Sequence, residues 1–220
     1  MLGMEILLAL GVGIGLSSVA GVRAFLPLVL VDLLVVGFAG FGNPPHAFLP
    51  LLRLGLASTA GLFALALLEC ILDKFAILER PLNSVLIPIR AAAGAAVFAV
   101  VLVAQDPFVY GQFEGTLSTT LSLSDSLSML APWLVLGGVI AGLVAVAKVM
   151  LRPPAEAASA GVSSTTLSGF EDAVALVGGA LGAFYVPLVP LLLVAFLLYF
   201  FYRVRKRRGR KYGGLRILGD

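Results

Sequence analysis

The stretch Leu65-Ala66-Leu67-Leu68-Glu69-Cys70-Ile71-Leu72-Asp73-Lys74 ends a long apolar run and carries two carboxylates four residues apart. An i, i+4 spacing places Glu69 and Asp73 on one face of a helix. Inside a membrane such charges are costly, and acids in this position commonly bind a cation or relay a proton. The stretch therefore predicts an apolar helix whose acidic pair is the first candidate site, with Asp73 and Lys74 at its cytoplasmic boundary and Glu69 one turn deeper.

The composition of the whole chain agrees with a membrane fold. Of its 220 residues 60% are hydrophobic and only 12% are charged, and the mean hydropathy is +1.07. Soluble domains carry about a quarter charged residues, and this length accommodates roughly six membrane-spanning helices. We therefore predict an all-α integral membrane protein with about six transmembrane helices. Residues 1–202 form a single transmembrane domain, and residues 203–220 form a basic cytoplasmic tail.

The first hydrophobic segment is too long for one upright span. It runs from Ile6 to Val36, and about 31 helical residues cover roughly 47 Å, against a hydrocarbon core of about 30 Å. Pro27 and the glycines ahead of it predict a tilted, kinked or broken helix, or a re-entrant hairpin. The next three segments predict simple spans at residues 54–71, 83–104 and 132–147.

The last segment, residues 173–202, is uncharged but interrupted by Pro187 and Pro190, which predicts two short spans or one hairpin. Its run Gly182–Val189 also resembles Gly21–Val29, because both lead from glycines into a proline. Interrupted segments at corresponding positions of two halves are typical of transporters with inverted repeats. A 3+3 inverted repeat with broken or re-entrant first and last segments is therefore one prediction, and a chance match between apolar sequences is the alternative.

Charge asymmetry predicts the orientation in the cell membrane. Seven basic residues lie between Arg203 and Lys211, and the polar loop at about 105–128 contains acids but no Lys or Arg. Basic segments stay in the cytoplasm, so we place the C-terminus inside and this loop outside. The 203–211 run is also expected to bind anionic lipids, whereas no folded element presents it to nucleic acid.

Arg23 is the second candidate site residue. It lies about 27 Å along a helix that begins near Glu5, and a charge at such depth costs at least about 2.5–3.5 kcal/mol. It therefore needs a partner, for which Glu69 and Asp32 are the candidates. One interpretation is a buried ion pair that locks two helices together, and the other is a ligand for an anion or headgroup at a helix break.

Five further charges are predicted to gather on the cytoplasmic side: Arg90, Lys148, Arg152, Glu171 and Asp172. They are interpreted as orientation signals and salt-bridge partners. Alternatively, Arg90 and the two acids line a binding site, and Lys148 and Arg152 form the charged rim of a vestibule that attracts an anionic group.

The segment Ser168-Gly169-Phe170-Glu171-Asp172 also predicts the start of a helix. A serine followed three residues later by a glutamate has the spacing of a capping box. The helix is thus expected to begin at Ser168.

Enzymatic signatures are missing from the sequence. It contains no Gly-x-Ser-x-Gly, no phosphate-binding loop and no His-Glu-x-x-His. Cys70 and His46 are the only residues of their types, so neither a disulfide nor a Cys/His metal cluster can form within the chain. We expect no enzymatic activity, cofactor or metal.

Five stretches together carry a family resemblance: Gly13-Ile14-Gly15-Leu16-Ser17-Ser18-Val19-Ala20-Gly21-Val22-Arg23-Ala24-Phe25-Leu26-Pro27, Leu68–Lys74, Ile89–Gly94, Lys148–Arg152 and Ser168–Asp172. They resemble a family of small bacterial multi-pass membrane proteins known only by a domain-of-unknown-function label. The resemblance implies a membrane fold and the same choice of charged positions, and it implies no activity. In that family an Asn-Pro tends to precede the last stretch, where this chain has Thr165-Thr166.

The sequence thus predicts a small secondary transporter. Glu69 and Asp73 would form its proton or cation site, Arg23 would be the ion-pair partner or anion ligand, and a small ion or anionic lipid would be the substrate. Self-association into a homo-oligomer is compatible with this prediction. The alternative is a structural or assembly protein of the membrane that transports nothing and whose buried charges only fix the packing of its helices.

Overall fold

The computed structural model describes residues 2–40, 56–73, 76–105, 123–152, 164–184 and 186–213. These residues form α-helices and no strands, which confirms the all-α prediction. The described ranges contain seven helices where about six spans were predicted, because the first hydrophobic segment forms two helices. They are α1 (Leu2–Val22), α2 (Phe25–Gly40), α3 (Leu56–Leu72), α4 (Ala76–Gln105), α5 (Leu123–Leu151), α6 (Ser164–Ala183) and α7 (Val189–Gly213).

Helices α1 and α2 form a hairpin that turns at Arg23 and Ala24. Val31 of α2 packs in one apolar cluster with Val12 and Leu16 of α1, so α2 runs back along α1. The predicted break is present, but it precedes Pro27, which is the third residue of α2. A proline is tolerated there because the first N–H groups of a helix have no partner within it.

Helices α6 and α7 form a second hairpin. The ring of Phe170 lies 5.2 Å from that of Phe200, and a Cβ on Gly182 would contact Pro190, so α7 folds back along α6. The turn contains Pro187 and is followed by Leu188, whose φ of 62° is unusual for a branched side chain. The predicted break in the last segment is therefore present, and the two helices that it separates fold back on each other.

Helix α1 lies at the centre of the bundle, against α4, α5, α6 and α7. Helices α1, α4 and α5 approach so closely that only glycine fits at two of their contacts. A Cβ on Gly21 would lie 2.6 Å from the carbonyl oxygen of Ala141, and a Cβ on Gly137 would lie 2.5 Å from that of Gly94. Such small-residue contacts are typical of helix packing in membranes.

The predicted spans at 83–104 and 132–147 agree with the candidate spans Ser84–Val101 and Ala131–Leu151, but the helices that contain them begin earlier. Helix α4 begins at Ala76 and α5 at Leu123, so the end of the predicted polar loop at 105–128 is helical. Residues 106–122 of that loop and His46 lie outside the described residues. Helix α6 begins at Ser164 rather than Ser168, and the predicted capping box is wrong because Ser168 lies inside the helix.

Two helical segments are long and apolar enough to cross a membrane, Ser84–Val101 and Ala131–Leu151. Two shorter apolar segments, Leu7–Val22 and Ala60–Leu72, fall within α1 and α3. Among the described residues, the two longer segments are candidate spans by length and composition.

Candidate functional site

The eight predicted site and rim residues converge at one end of the bundle. Helices α1, α3 and α5 end there, while α2, α4 and α6 begin nearby. Seven of the eight side chains are buried, and Asp172 is 24% exposed. Four cations face four carboxylates, so the cluster carries no formal net charge. We call this cluster the charge network; it consists of Arg23, Glu69, Asp73, Arg90, Lys148, Arg152, Glu171 and Asp172.

Arg23 is held by the acids that follow α3 and lie on α6. Its Nη1 is 2.9 Å from Asp73 Oδ2, and its Nη2 is 2.6 Å from Asp172 Oδ1. Nη2 also donates a hydrogen bond of 3.1 Å to Ser168 Oγ. The predicted ion pairs of Arg23 with Glu69 or Asp32 are therefore wrong, because the α1–α2 turn aims the guanidinium towards α6.

Glu69 closes the start of α2. Its carboxylate accepts hydrogen bonds from the backbone N–H groups of Ala24 at 3.0 Å and Phe25 at 3.4 Å. It also lies 3.2 Å from Arg90 Nη2. A carboxylate at a helix N-terminus satisfies donors that lack helical partners and interacts favourably with the helix dipole.

Lys148 caps the C-terminus of α1, as Glu69 caps the N-terminus of α2. Its Nζ donates a hydrogen bond of 3.1 Å to the carbonyl of Val22 and lies 2.7 Å from Glu171 Oε2. A cation is favourable at a helix C-terminus, where the carbonyls lack helical donors. Ionisable side chains from α3 and α5 therefore occupy both helix ends at the α1–α2 break.

Asp73 and Arg152 complete the network. Arg152 Nη1 lies 3.0 Å from Asp73 Oδ2 and 3.1 Å from Glu171 Oε1. Asp73 is thus buried between two guanidinium groups, while Lys74 lies outside the described residues. Lys148 and Arg152 were predicted as a rim, but both are buried.

Glu69 and Asp73 do not act as one acidic pair. They share a helix face, as their spacing predicted, and the Asp73 N–H donates to the Glu69 carbonyl at 3.2 Å. Their side chains, however, contact different cations.

A neutral, buried network of this kind can hold the hairpin in place or exchange its internal partners for external ones. Removing one member of a buried ion pair typically costs about 3–5 kcal/mol, because the other charge stays buried without compensation. No three His, Cys, Asp or Glu side chains among the described residues are arranged to hold a metal ion.

Two residues have surroundings that the sequence did not predict. Ser168 was taken for a helix cap, whereas it binds Arg23. Asp32 was considered only as a partner for Arg23, yet it is 1% exposed and its Oδ2 accepts no hydrogen bond from the described residues. Its position within an uncharged run, seven residues after Phe25, was the available signal.

Comparison with protein-family models matches residues 10–207 to the domain of unknown function DUF4126. This range contains the whole charge network, and the match confirms the family resemblance seen in the sequence. Neither curated proteins nor solved structures gave a match. The chain belongs to the family described as domain of unknown function (DUF4126).

Proposed function

We propose that the chain is a multi-pass protein of the cell membrane. The support is an inverted distribution of polarity, because the charges of the network are buried while large apolar side chains face outwards. Along α5 the outward residues are 41–66% exposed, and they are Val135, Val139, Leu143, Val146 and Met150. Water would disfavour this surface and lipid would accept it.

The proposed orientation keeps the C-terminus in the cytoplasm, together with the charge network. The α1–α2 hairpin then puts the N-terminus on the outside. At the end of α7, Arg203 donates to the Tyr199 hydroxyl at 2.9 Å and Lys206 donates to the Tyr202 hydroxyl at 3.3 Å. Exposed tyrosines beside basic residues support a headgroup-level anchor that binds anionic lipids.

Within the membrane, the function that we propose is secondary transport, with the charge network as the cytoplasmic gate. The observation that carries this proposal is the α1–α2 break, whose two helix ends meet buried ionisable side chains. Transporters bind substrates and coupling ions at such discontinuous helices, where helix N-termini face anions and C-termini face cations. Here Glu69 occupies the position of the anion and Lys148 that of the cation.

The gate would open when an external ion replaces one of the ion-pair partners within the charge network. An external anion that bound the N–H groups of Ala24 and Phe25 would displace Glu69, and Arg90 would then contact the same anion. A proton or cation taken up by an acid of the network would release its guanidinium in the same way. The substrate class that fits is a small anion or an anionic lipid headgroup, with Arg23 and Arg90 as its ligands.

The alternative is a structural or assembly protein, and the direct pairing of the charges favours it. The network joins the α1–α2 hairpin to α3, α4, α5 and α6 through buried salt bridges. In that role the network would fix helix packing and would never open. The two functions differ in whether ions cross the membrane.

Flux into proteoliposomes tests the proposal. Vesicles loaded with a pH-sensitive or Na⁺-sensitive dye receive an inward proton or Na⁺ gradient, with inorganic phosphate or acetate as anion probes. Transport predicts dye responses faster than those of protein-free vesicles in at least one arm. Identical rates with and without protein in every arm would refute transport and leave the structural role.

A further inference from the structure

The turn between α6 and α7 fits into a groove on α1. Gly11 and Gly15 lie four residues apart, on one face of α1, and each contacts a proline of the α6–α7 hairpin. A Cβ on Gly11 would lie 2.8 Å from Pro187 Cβ, and a Cβ on Gly15 would lie 3.2 Å from Pro190 Cγ. The two glycines therefore form a groove without side chains, which the prolines fill. This groove begins about 18 Å from Arg23 along α1, at the far end of α6 from the charge network.

Few polar contacts hold the turn in this groove. The N–H of Leu188 donates to the carbonyl of Gly11 at 3.4 Å, which is longer than the usual range of about 2.7–3.2 Å. On the side away from α1, Phe184 is 61% and Leu188 is 49% exposed. The described residues thus leave that side of the turn uncovered. The α1–α2 break differs, because buried ion pairs hold it.

Leu188 adopts a strained backbone conformation in this turn. Its φ of 62° lies in the left-handed region, where the Cβ of an L-residue crowds the following carbonyl oxygen. Strained residues persist only when the surrounding structure holds them, and they concentrate in switch regions and at ligand clamps. The strain favours any conformation in which the turn has left the groove and Leu188 has relaxed.

We propose that the α6–α7 turn is a mobile gate, closed in this structure, which opens by leaving the glycine groove of α1. The proposal rests on the proposed transport function. Alternating access moves one part of a transporter against another around the site, so a cytoplasmic gate requires a second gate on the outside. Opening would uncover Val12, which is fully buried and belongs to the apolar cluster against which Ala183 packs.

Glycine and alanine at position 188 test the strain, because neither carries the rest of the leucine side chain. Only glycine accepts a positive φ without a steric cost, so Leu188→Gly should have a Tm roughly 2–4 °C above that of Leu188→Ala. Leu192→Gly and Leu192→Ala are the matched pair on α7, at a residue that is 65% exposed. Glycine destabilises an ordinary helix, so the order of Tm should reverse there. A Leu188→Gly variant no more stable than Leu188→Ala would overturn the proposal.

Reaction of a buried thiol measures the opening itself. Val12→Cys is combined with Cys70→Ser, so that the only thiol lies beneath the turn, and the full-length protein in detergent is labelled with N-ethylmaleimide. When the turn closes faster than the thiol reacts, the labelling rate follows the open fraction. Leu188→Gly should therefore label roughly five- to thirtyfold more slowly than Leu188→Ala, which corresponds to about 1–2 kcal/mol of strain. Equal labelling rates would overturn the proposal.

The gate and the transport function fail separately. Slower labelling of Leu188→Gly, in a protein that shows no flux in proteoliposomes, would support the mobile turn and refute transport. Conversely, flux in wild type with equal labelling rates in the two variants would support transport and refute this gate.

Discussion

Replacing Lys148 with methionine tests whether the charge network is one balanced unit. The substitution keeps an unbranched chain of similar length but removes both contacts of the ammonium group, at 3.1 Å to the Val22 carbonyl and 2.7 Å to Glu171. A buried acceptor left without a donor costs about 1–3 kcal/mol, and breaking a buried ion pair by removing one member costs about 3–5 kcal/mol, even though Glu171 keeps Arg152 at 3.1 Å. The two terms overlap, so we expect a total loss of about 3–5 kcal/mol.

For a chain of this size, each kcal/mol shifts Tm by about 2–4 °C, so Lys148→Met should lower Tm by roughly 6–20 °C. Unfolding can be followed in detergent with a thiol-reactive dye, because Cys70 is the only cysteine and is only partly accessible in the fold. Met150→Leu on the same helix serves as the control. Because Met150 is 63% exposed, the Tm of Met150→Leu should match that of wild type.

The double variant Lys148→Met/Glu171→Gln separates charge balance from simple loss of contacts. It restores neutrality with three cations and three carboxylates, although Arg152 and Arg23 lose an acidic neighbour. We expect it to be more stable than Lys148→Met alone. A single variant within 2 °C of wild type, or a double variant less stable than the single one, would refute the idea of a balanced unit.

Two further predictions concern geometry. Arg23→Lys keeps the charge but cannot hold two acids on a planar fork, so it should lower Tm by roughly 4–10 °C; an unchanged Tm would show that charge alone suffices there. Gly94→Ala introduces a Cβ that would collide with the Cβ of Ala141 and should cost about 1–3 kcal/mol in unfolding free energy. Gly61→Ala, which meets nothing within 4 Å, should be neutral or should raise stability by up to about 1 kcal/mol. Equal effects of the two glycine substitutions would contradict the close α4–α5 contact.

The positions of the charge network could be read from the sequence, because few charges interrupt so apolar a chain. Arg23, Glu69 and Arg90 stand out within hydrophobic runs, and all three are buried. The sequence does not indicate which residues of the charge network contact one another. Arg23 and Ser168 are separated by 145 residues, and their contact depends on how two hairpins pack, which local spacing does not encode.

The prolines in the sequence predicted the approximate positions of both helix breaks. Pro27 lies at the third position of α2 and Pro190 at the second position of α7, where the missing N–H is not needed. Each marks the start of the helix after the break rather than the break itself. Helices α4, α5 and α6 begin ahead of the apolar runs from which they were predicted. The reason is that a polar first turn resembles a loop when a helix is recognised by its apolar residues.

Flux through the charge-neutral double variant Glu69→Gln/Arg90→Gln tests the central claim most directly. This variant removes the ionisable pair at the α1–α2 break and leaves equal numbers of cations and carboxylates in the network. Rates in proteoliposomes are compared with wild type per folded protein, with Tm measured on the same samples. We predict a Tm within roughly 10 °C of wild type and a flux reduced to that of protein-free vesicles. Flux equal to that of wild type in the folded variant would contradict the claim that this pair gates transport.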